Sequence, residues 1–199
     1  MGYFLFSYGI KTKKIRAIFG SKDQAILEKI KNSDIFDTYS DCYKALKDII
    51  AGEKLDKEFN FAYGYAVICL CDVLGQKLPY PEEIKLGHET DLINKYLKES
   101  FKIDDLDIID PLLADNTNPF DIPKIEDFPI IGLLSREDLV ILKEIFEDIN
   151  ITDNEIEELE SSENGDDEEK SLALTHIRGI IQNIDYCIKN KLDLITFCH

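Results

Sequence analysis

Three histidines are the side chains in this sequence best suited to acid–base chemistry, and they stand far apart. They are His88, His176 and His199. None belongs to a metal-binding spacing such as HExxH. His88 follows Gly87 and precedes Glu89, and a loop imidazole beside a carboxylate can act as an acid or a base. Because no nucleophile is identifiable near it, the sequence favours structural or surface roles, with His176 at a helix start and His199 frayed at the last residue.

A second set of residues could line a ligand pocket. The segment 101–132 holds four prolines and no sustained hydrophobic period, which predicts a long irregular connection, and such connections are uncommon unless they are functional. The residues that we expect around such a pocket are Tyr65, His88, Asp127 and Phe128. Two simpler explanations are favoured, namely close helix packing at Gly64 and anchoring of the loop onto the core by Phe128.

Acidic residues are concentrated near the C-terminal end of the chain. Ten of them and no basic residue lie between Asp153 and Glu169. Because like charges repel one another and few apolar groups are present to be buried, we expect an exposed, mobile acidic insert around residues 153–170. A solvated structural insert is favoured over a binding element. If the insert binds a partner, the predicted contacts are Glu157, Glu158, Glu160, Glu163, Asp166, Asp167, Glu168 and Glu169.

The remaining candidates for chemistry give no recognisable site. The five cysteines are odd in number and lack the CxxC and histidine spacing of a zinc site, so they indicate reduced thiols and no metal. Four aspartates between Asp104 and Asp110 lack the central glycine and terminal glutamate of a calcium loop. No glycine-rich nucleotide loop or G-x-S-x-G motif is present. We therefore predict no cofactor, assign no catalytic residue, and favour a non-catalytic protein while leaving an enzyme open.

The net charge of −17 bears on the kind of partner. Proteins that bind nucleic acids need a basic face to displace phosphate counterions, and the only basic cluster here lies near the start, at Lys11, Lys13, Lys14, Arg16 and Lys22. A basic protein is the better electrostatic match, because opposite fields accelerate association. Mimicry of nucleic acid by the acidic face is a third alternative, and it requires carboxylates on a rigid surface.

No segment is predicted to enter a membrane or to direct secretion. The longest uncharged run, Phe59 to Cys71, is shorter than the ~20 residues that a membrane-spanning helix needs. The apolar first ten residues have no basic residue before them and no small-residue cleavage site. With the reduced thiols, these features predict a cytoplasmic protein.

The elements that would position these residues can be read from hydrophobic periodicity. Tyr3 to Tyr8 and Leu192 to Phe197 predict strands at the two ends of the chain. Amphipathic helices are predicted between them, and Phe59 to Leu74 is apolar on every side, which predicts a helix buried at the centre of the core. We expect one helix-dominated α+β domain over residues 1–199, in which the terminal strands pair in a small sheet beneath a helical layer.

Several short motifs resemble a family of bacterial proteins of similar length to which no activity is assigned. They are Gly2-Tyr3-Phe4-Leu5-Phe6-Ser7-Tyr8, Gly20-Ser21-Lys22-Asp23, Tyr63-Gly64-Tyr65-Ala66 with Leu74-Gly75, Asp127-Phe128-Pro129-Ile130-Ile131-Gly132, and Asp193-Leu194-Ile195-Thr196-Phe197. At longer range the order of elements is similar to the YfbM-like family. The resemblance covers most of the chain. The sequence differs from the family pattern in the acidic insert. It implies a candidate immunity protein that neutralises a toxin, and it implies no active-site residue.

Two functions follow as expectations from different features. The leading one is a non-catalytic cytosolic interaction module, plausibly an acidic immunity protein for a toxin, because the chain is strongly acidic, lacks catalytic motifs and resembles that family. The alternative is a small enzyme or ligand-binding protein that uses a pocket near the 101–132 connection. The sequence leaves the oligomeric state and the identity of any partner open.

Overall fold

Four antiparallel strands form one sheet in the computed structural model, which describes residues 2–113 and 119–199. The strands are β1 (Phe4–Ile10), β2 (Ile84–Lys85), β3 (Ile130–Leu134) and β4 (Asp193–Cys198), and their order in the sheet is β2-β1-β4-β3. The two strands from the ends of the chain form the central pair, in a register that runs from Leu5 opposite Cys198 to Ile10 opposite Asp193. The prediction that the terminal strands pair is therefore confirmed.

Both faces of this sheet are covered by helices. Side chains alternate between the two faces along each strand, so Leu5 and Leu194 enter one hydrophobic core while Ile195 and Phe197 enter the other. The sheet thus lies between two helical layers, whereas the sequence predicted a sheet beneath a single layer. Strands buried on both faces are expected to be nearly continuous in apolar residues, and Leu194 to Cys198 fits this pattern.

The first helical layer is built from the N-terminal half of the chain. Its helices are α1 (Thr12–Arg16), α2 (Gln24–Lys31), α3 (Asp34–Thr38), α4 (Tyr43–Ala51) and α5 (Asn60–Leu74), with short 3₁₀ turns at Ser40–Cys42 and Lys57–Phe59. As predicted, α5 is buried nearly all round, with Ala66, Val67, Ile68 and Leu70 each 0% exposed. An apolar surface without a polar stripe explains why this helix packs between the sheet and the outer helices.

The second layer is built from the C-terminal half. Its helices are α6 (His88–Phe101), α7 (Ile109–Leu112), α8 (Arg136–Ile145), α9 (Asp153–Glu160) and α10 (Gly165–Asn190). Ser135 caps α8, since its hydroxyl accepts a hydrogen bond from the Asp138 N–H at 3.2 Å. The apolar stripe of α10, including Leu174, Ile177 and Ile184, packs into the core on this face of the sheet. Within the described residues, no helix combines the length and apolar character that crossing a bilayer requires.

The acidic segment, which was predicted to be an exposed, mobile insert, is largely helical and forms α9 and the first turns of α10. Thr152 caps α9 by accepting a hydrogen bond from the Glu155 N–H, and Asn164 caps α10 in the same way from the Asp166 N–H. Acidic residues in a first helical turn interact favourably with the partial positive charge of a helix N-terminus, and the buried Ile156 attaches α9 to the core. Repulsion between carboxylates therefore does not prevent helix formation here, because the caps and the burial of Ile156 offset it.

The segment before β2 is held tightly against α10 through Tyr80. Its backbone N–H donates to Asn183 Oδ1 at 2.9 Å, and Asn183 Nδ2 donates back to the Tyr80 carbonyl at 2.8 Å. The tyrosine ring lies over Gly179, where an added Cβ would come within 2.2 Å of ring carbons. This close approach requires a residue without a side chain at position 179.

We predict that Gly179→Ala lowers the free energy of unfolding by about 2 kcal/mol, because overpacking a buried contact typically costs ~1–3 kcal/mol. Urea denaturation monitored by circular dichroism measures the change. Gly165→Ala is the matched control in the same helix, since nothing lies within 4 Å of a Cβ there, and its effect should stay within about 0.5 kcal/mol. Equal effects of the two substitutions would contradict the packing role of Gly179.

Candidate functional site

A solvent-open cleft lies between the first half of α5 and the loop that precedes β3. Its volume is about 420 Å³, and the residues that line it are Asn60, Phe61, Tyr65, Ile125, Glu126, Asp127 and Phe128. Ligand pockets in proteins commonly have volumes of ~300–1,000 Å³ and combine apolar walls with a few polar groups. We refer to this feature as the α5 cleft, and it is the candidate functional site.

The α5 cleft exists because the loop can approach α5 closely at Gly64. A Cβ at this position would lie 2.6 Å from Ile125 Cδ1 and 2.7 Å from Pro129 Cγ. Real Cβ atoms do not make such contacts with neighbouring side chains, so any larger residue would displace the loop. The favoured explanation of Gly64, close packing, is confirmed, and the element that packs there is the wall of the cleft.

Asn60 fixes one end of the cleft. Its side-chain amide donates to the Lys124 carbonyl oxygen at 2.8 Å, and its side-chain oxygen accepts a hydrogen bond from the Phe61 N–H at 2.7 Å. One asparagine thus joins the start of α5 to the start of the loop. The two walls are held at a defined separation by this hydrogen-bonded bridge.

Each aromatic wall of the cleft is supported by a second ring. Phe128, which precedes a cis peptide bond to Pro129, stacks on Tyr3 with ring centroids 4.0 Å apart. On the other wall, Tyr65 stacks on Tyr39 at 4.9 Å, and the Tyr39 hydroxyl is 2.8 Å from His199 Nε2. Stacked pairs of this kind add to the energy of area burial. The supporting rings fix the orientation of the rings that line the cleft.

The electrostatic character of the cleft is acidic. Glu126 and Asp127 are both exposed, and among the residues that the structure describes neither carboxylate has a lysine or arginine at ion-pair distance. Burial raises the pKa of the Tyr65 hydroxyl, and the negative charge of Asp127 raises it further. The phenol therefore stays protonated at neutral pH, and the cleft offers carboxylates and rings without an internal cation.

Three of the four residues predicted to surround a ligand pocket line this cleft. They are Tyr65, Asp127 and Phe128. His88 does not join them, because it is exposed at the start of α6 in the other helical layer. The pocket was predicted near the 101–132 connection, of which residues 114–118 lie outside the described residues. Asn60 and Phe61 also line the cleft but were not predicted to do so, although they lie in the same helix as Tyr65.

The predicted partner-binding acids lie away from the α5 cleft. Glu157, Glu158 and Glu160 are on α9, Glu163 is in the link that follows, and Asp166, Asp167, Glu168 and Glu169 are in the first turns of α10. All eight belong to the layer on the opposite face of the sheet from α5. Most of them are exposed, whereas Asp167 and Glu169 are partly buried, with Asp167 accepting a hydrogen bond from Ser162 and Glu169 lying 3.8 Å from Lys95.

A second cluster surrounds His176, which is 4% exposed in the middle of α10 rather than at a helix start as predicted. Its Nδ1 is 2.8 Å from the Tyr80 hydroxyl, and its Nε2 is 3.2 Å from Glu89 Oε2 without the alignment of a hydrogen bond. Glu89 also accepts from the Lys85 N–H at 2.7 Å. The signal that could have identified this cluster is the spacing of His176, Gly179 and Asn183, which places all three on one helical face.

Burial lowers the pKa of His176, and the nearby Glu89 carboxylate opposes this effect only in part. The tightly packed imidazole is therefore neutral in the folded protein at physiological pH. The cavity that Tyr80 and Asn183 line has a volume of only about 30 Å³. The contacts of the cluster attach the segment before α6 to α10. His199 also differs from its prediction, since its hydrogen bond to Tyr39 shows that it is ordered rather than frayed.

The cysteines form no reactive centre in the described structure. All five are buried and free, and the closest pair, Cys42 and Cys69, has its sulfur atoms 3.7 Å apart. The hydrogen bond with Cys42 and burial raise the pKa of Cys69, while burial raises the pKa of Cys198 to about 11. Thiols with raised pKa values are poor nucleophiles. Within residues 2–113 and 119–199, no three His, Cys, Asp or Glu side chains are grouped so that they could hold a metal ion.

Comparison with known proteins gives one match. The model of a protein family described as Domain of unknown function (DUF7691) matches residues 1–199, so the chain belongs to this family. No curated protein and no solved structure matches the chain.

The lowered pKa of His176 predicts a dependence of stability on pH. The unfolded chain has a histidine pKa of about 6.5 and binds the proton more readily than the folded chain, so this contribution to stability is fully present above about pH 6.5 and declines as the pH falls below it. We expect the free energy of unfolding, measured by urea denaturation, to decrease between about pH 6.5 and pH 5.

Replacing the imidazole tests this assignment. His176→Gln should flatten the profile over that interval, since the group that takes up the proton on unfolding is absent. His88→Gln is the control, because it removes the exposed imidazole next to Glu89 and should retain the wild-type slope. A His176→Gln profile that still follows the wild type would show that other groups cause the dependence.

Proposed function

We propose that this DUF7691 protein is a non-catalytic binding module for a basic protein partner, and that the α5 cleft receives a positively charged part of that partner. The observation that carries the proposal is the combination, in one open cleft, of three aromatic rings with two carboxylates that have no cation of their own among the described residues. Aromatic faces and carboxylates both attract cations.

The net charge of the chain supports the same choice of partner. A protein with a formal charge of −17 generates a negative potential that attracts basic proteins and repels polyanions. Long-range attraction of this kind mainly raises association rates, whereas tightly packed contacts set dissociation rates. The cleft and the overall charge therefore have different roles in the proposed complex.

The acidic residues of α9 and the start of α10 are proposed to act through this long-range attraction. Most of them are exposed, and they belong to the helical layer opposite the cleft, so one compact contact that covers both regions is geometrically unfavourable. Charged residues outside the buried centre of an interface typically change the association rate and its salt dependence more than the final affinity. We assign them to steering and assign the stable contact to the cleft.

A finer form of the proposal names the partner as a toxin and this chain as its immunity protein. It rests on the resemblance to a bacterial family and, at longer range, to YfbM-like proteins, together with the acidity of the chain. The five unpaired cysteines favour a reducing compartment, and a cytoplasmic location is part of the same proposal.

The second candidate function is binding or conversion of a small molecule in the same cleft. Its volume of about 420 Å³ favours this alternative, because it lies in the range of small-molecule sites. The lining, however, contains no histidine or cysteine, and its tyrosine has a raised pKa, so a general base for catalysis is restricted to the two carboxylates. Simple binding of a cation requires none of these groups to change protonation.

The proposal predicts different effects of neutralising the two acidic regions. Against a basic partner recovered by co-purification at low salt, the double substitution Glu126→Gln and Asp127→Asn should raise the dissociation constant at least ~10-fold, mainly through faster dissociation. The matched control, Glu157→Gln with Glu158→Gln, removes the same charge from α9. It should mainly slow association and reduce the salt dependence.

Surface plasmon resonance at low and high ionic strength separates these outcomes, and circular dichroism verifies that each variant is folded. The proposal is wrong if the α9 variant loses binding while the cleft variant keeps it. It is also wrong if the affinity for the partner is unchanged between about 50 and 500 mM salt, since screening must weaken an interaction between opposite charges.

A further inference from the structure

We infer that the group received by the α5 cleft is the guanidinium of an arginine side chain. This inference rests on the proposed function, which requires only a positively charged partner, and it names the chemistry by which one residue of that partner is recognised. Three features of the cleft support this inference: aromatic side chains on both walls, carboxylates without an ion-pair partner among the described residues, and the hydrogen bond from Asn60 to the Lys124 carbonyl that joins the walls.

Both walls of the cleft carry aromatic side chains. Phe61 and Tyr65 stand four residues apart in α5, which places them on the same face of the helix, and Phe128 lines the cleft from the loop. The Phe61 side chain is 44% exposed, which is unusual for a phenylalanine in an otherwise buried helix. A flat group can insert between these walls and cover the exposed ring.

A neighbouring ring shows how a cation is accommodated at this end of α5. The Lys44 ammonium lies over the Phe59 ring at 5.4 Å from its centroid. In the described part of the chain Phe61 has no such partner, although its exposure is similar to the 48% of Phe59. Of the Phe59 and Phe61 rings, Phe61 is therefore the one over which a cation from another molecule can bind.

The carboxylates determine the charge and the geometry of the occupant. Asp127 lines the cleft together with Tyr65 and Phe128, so a negative charge lies at the aromatic wall. A carboxylate that lines a cleft can accept two parallel N–H···O hydrogen bonds from a guanidinium, whose donors form a planar fork.

Arginine fits this arrangement better than lysine for two physical reasons. The guanidinium is flat and stacks on rings, whereas the ammonium is compact and presents no plane. The guanidinium is also more weakly hydrated, so moving it from water to a cleft lined by aromatic rings costs less free energy. Arginine is accordingly enriched in the centres of protein interfaces, where lysine is depleted.

Isothermal titration calorimetry of the full chain with three tripeptides, each acetylated at its N-terminus and amidated at its C-terminus, tests the inference. The three peptides differ only in their central residue, which is arginine, lysine or citrulline. Citrulline keeps the shape of arginine without its charge. We expect the arginine peptide to bind with a dissociation constant of about 1 mM, the lysine peptide ~5-fold more weakly and the citrulline peptide at least ~10-fold more weakly, as a charge-assisted bidentate contact requires.

Two single substitutions locate the bound peptide. Asp127→Asn and Phe61→Ala change exposed side chains, and each should weaken arginine binding at least ~5-fold, whereas Glu157→Gln on α9 should leave it within ~2-fold. If the arginine and citrulline peptides bind equally, or if Asp127→Asn binds arginine as the wild type does, the inference is overturned. The same holds if lysine binds as tightly as arginine, or if no binding is detected up to about 20 mM peptide.

The failure of this inference is distinguishable from the failure of the proposed function. A basic partner whose binding depends on Glu126 and Asp127, combined with no preference for arginine peptides, would leave the function in place and remove the guanidinium. Loss of both would remove the cleft as a recognition site.

Discussion

The pairing of β1 with β4 is the constraint on which the rest of the structure depends. It joins the two ends of the chain over six residue pairs and places them at the centre of the sheet, so both faces need covering by helices. The same pairing also supports the α5 cleft. Tyr3 precedes β1 and His199 follows β4, and the backbone N–H of His199 donates to the Phe4 carbonyl while the Phe4 N–H donates to the His199 carbonyl. Tyr3 then stacks on Phe128, and His199 holds Tyr39 beneath the other aromatic wall.

Close backbone approaches at glycines determine where the remaining elements lie. Gly64 brings the loop of the cleft onto α5, Gly179 receives the Tyr80 ring, and Gly52 lies against Gly20, where an added Cβ would come within 2.9 Å of the Gly20 Cα. Two of these glycines, Gly20 and Gly64, belong to motifs that carried the resemblance to a protein family, and in this structure both take part in close packing. Recognition of a cation by rings and carboxylates needs shape and charge only.

Much of the fold could be predicted from the sequence, because the hydrophobic patterns that indicate strands and helices are local. Alternation and apolar runs predicted the terminal strands, and the lack of a polar stripe predicted the central position of α5. Two features were missed. The short strand β2 is defined only by its pairing with β1. Helix α9 and the acidic first turns of α10 form because local caps and the buried Ile156 offset the repulsion between carboxylates. Of the residues predicted around a pocket, Tyr65, Asp127 and Phe128 line one cleft, whereas His88 was included for its chemistry and lies elsewhere. Proximity in sequence to carboxylates is a weak guide to proximity in space.

The central claim is that the α5 cleft binds a cationic side chain, and backbone amide chemical shifts measured by NMR during titration with an arginine-containing peptide test it most directly. The account predicts saturable shift changes concentrated in residues 60–65 and 125–128, on the two walls of the cleft. Changes concentrated instead in residues 157–169, on the acidic helices, would contradict it, because they would show that charge alone, without the aromatic cleft, determines where a cation binds.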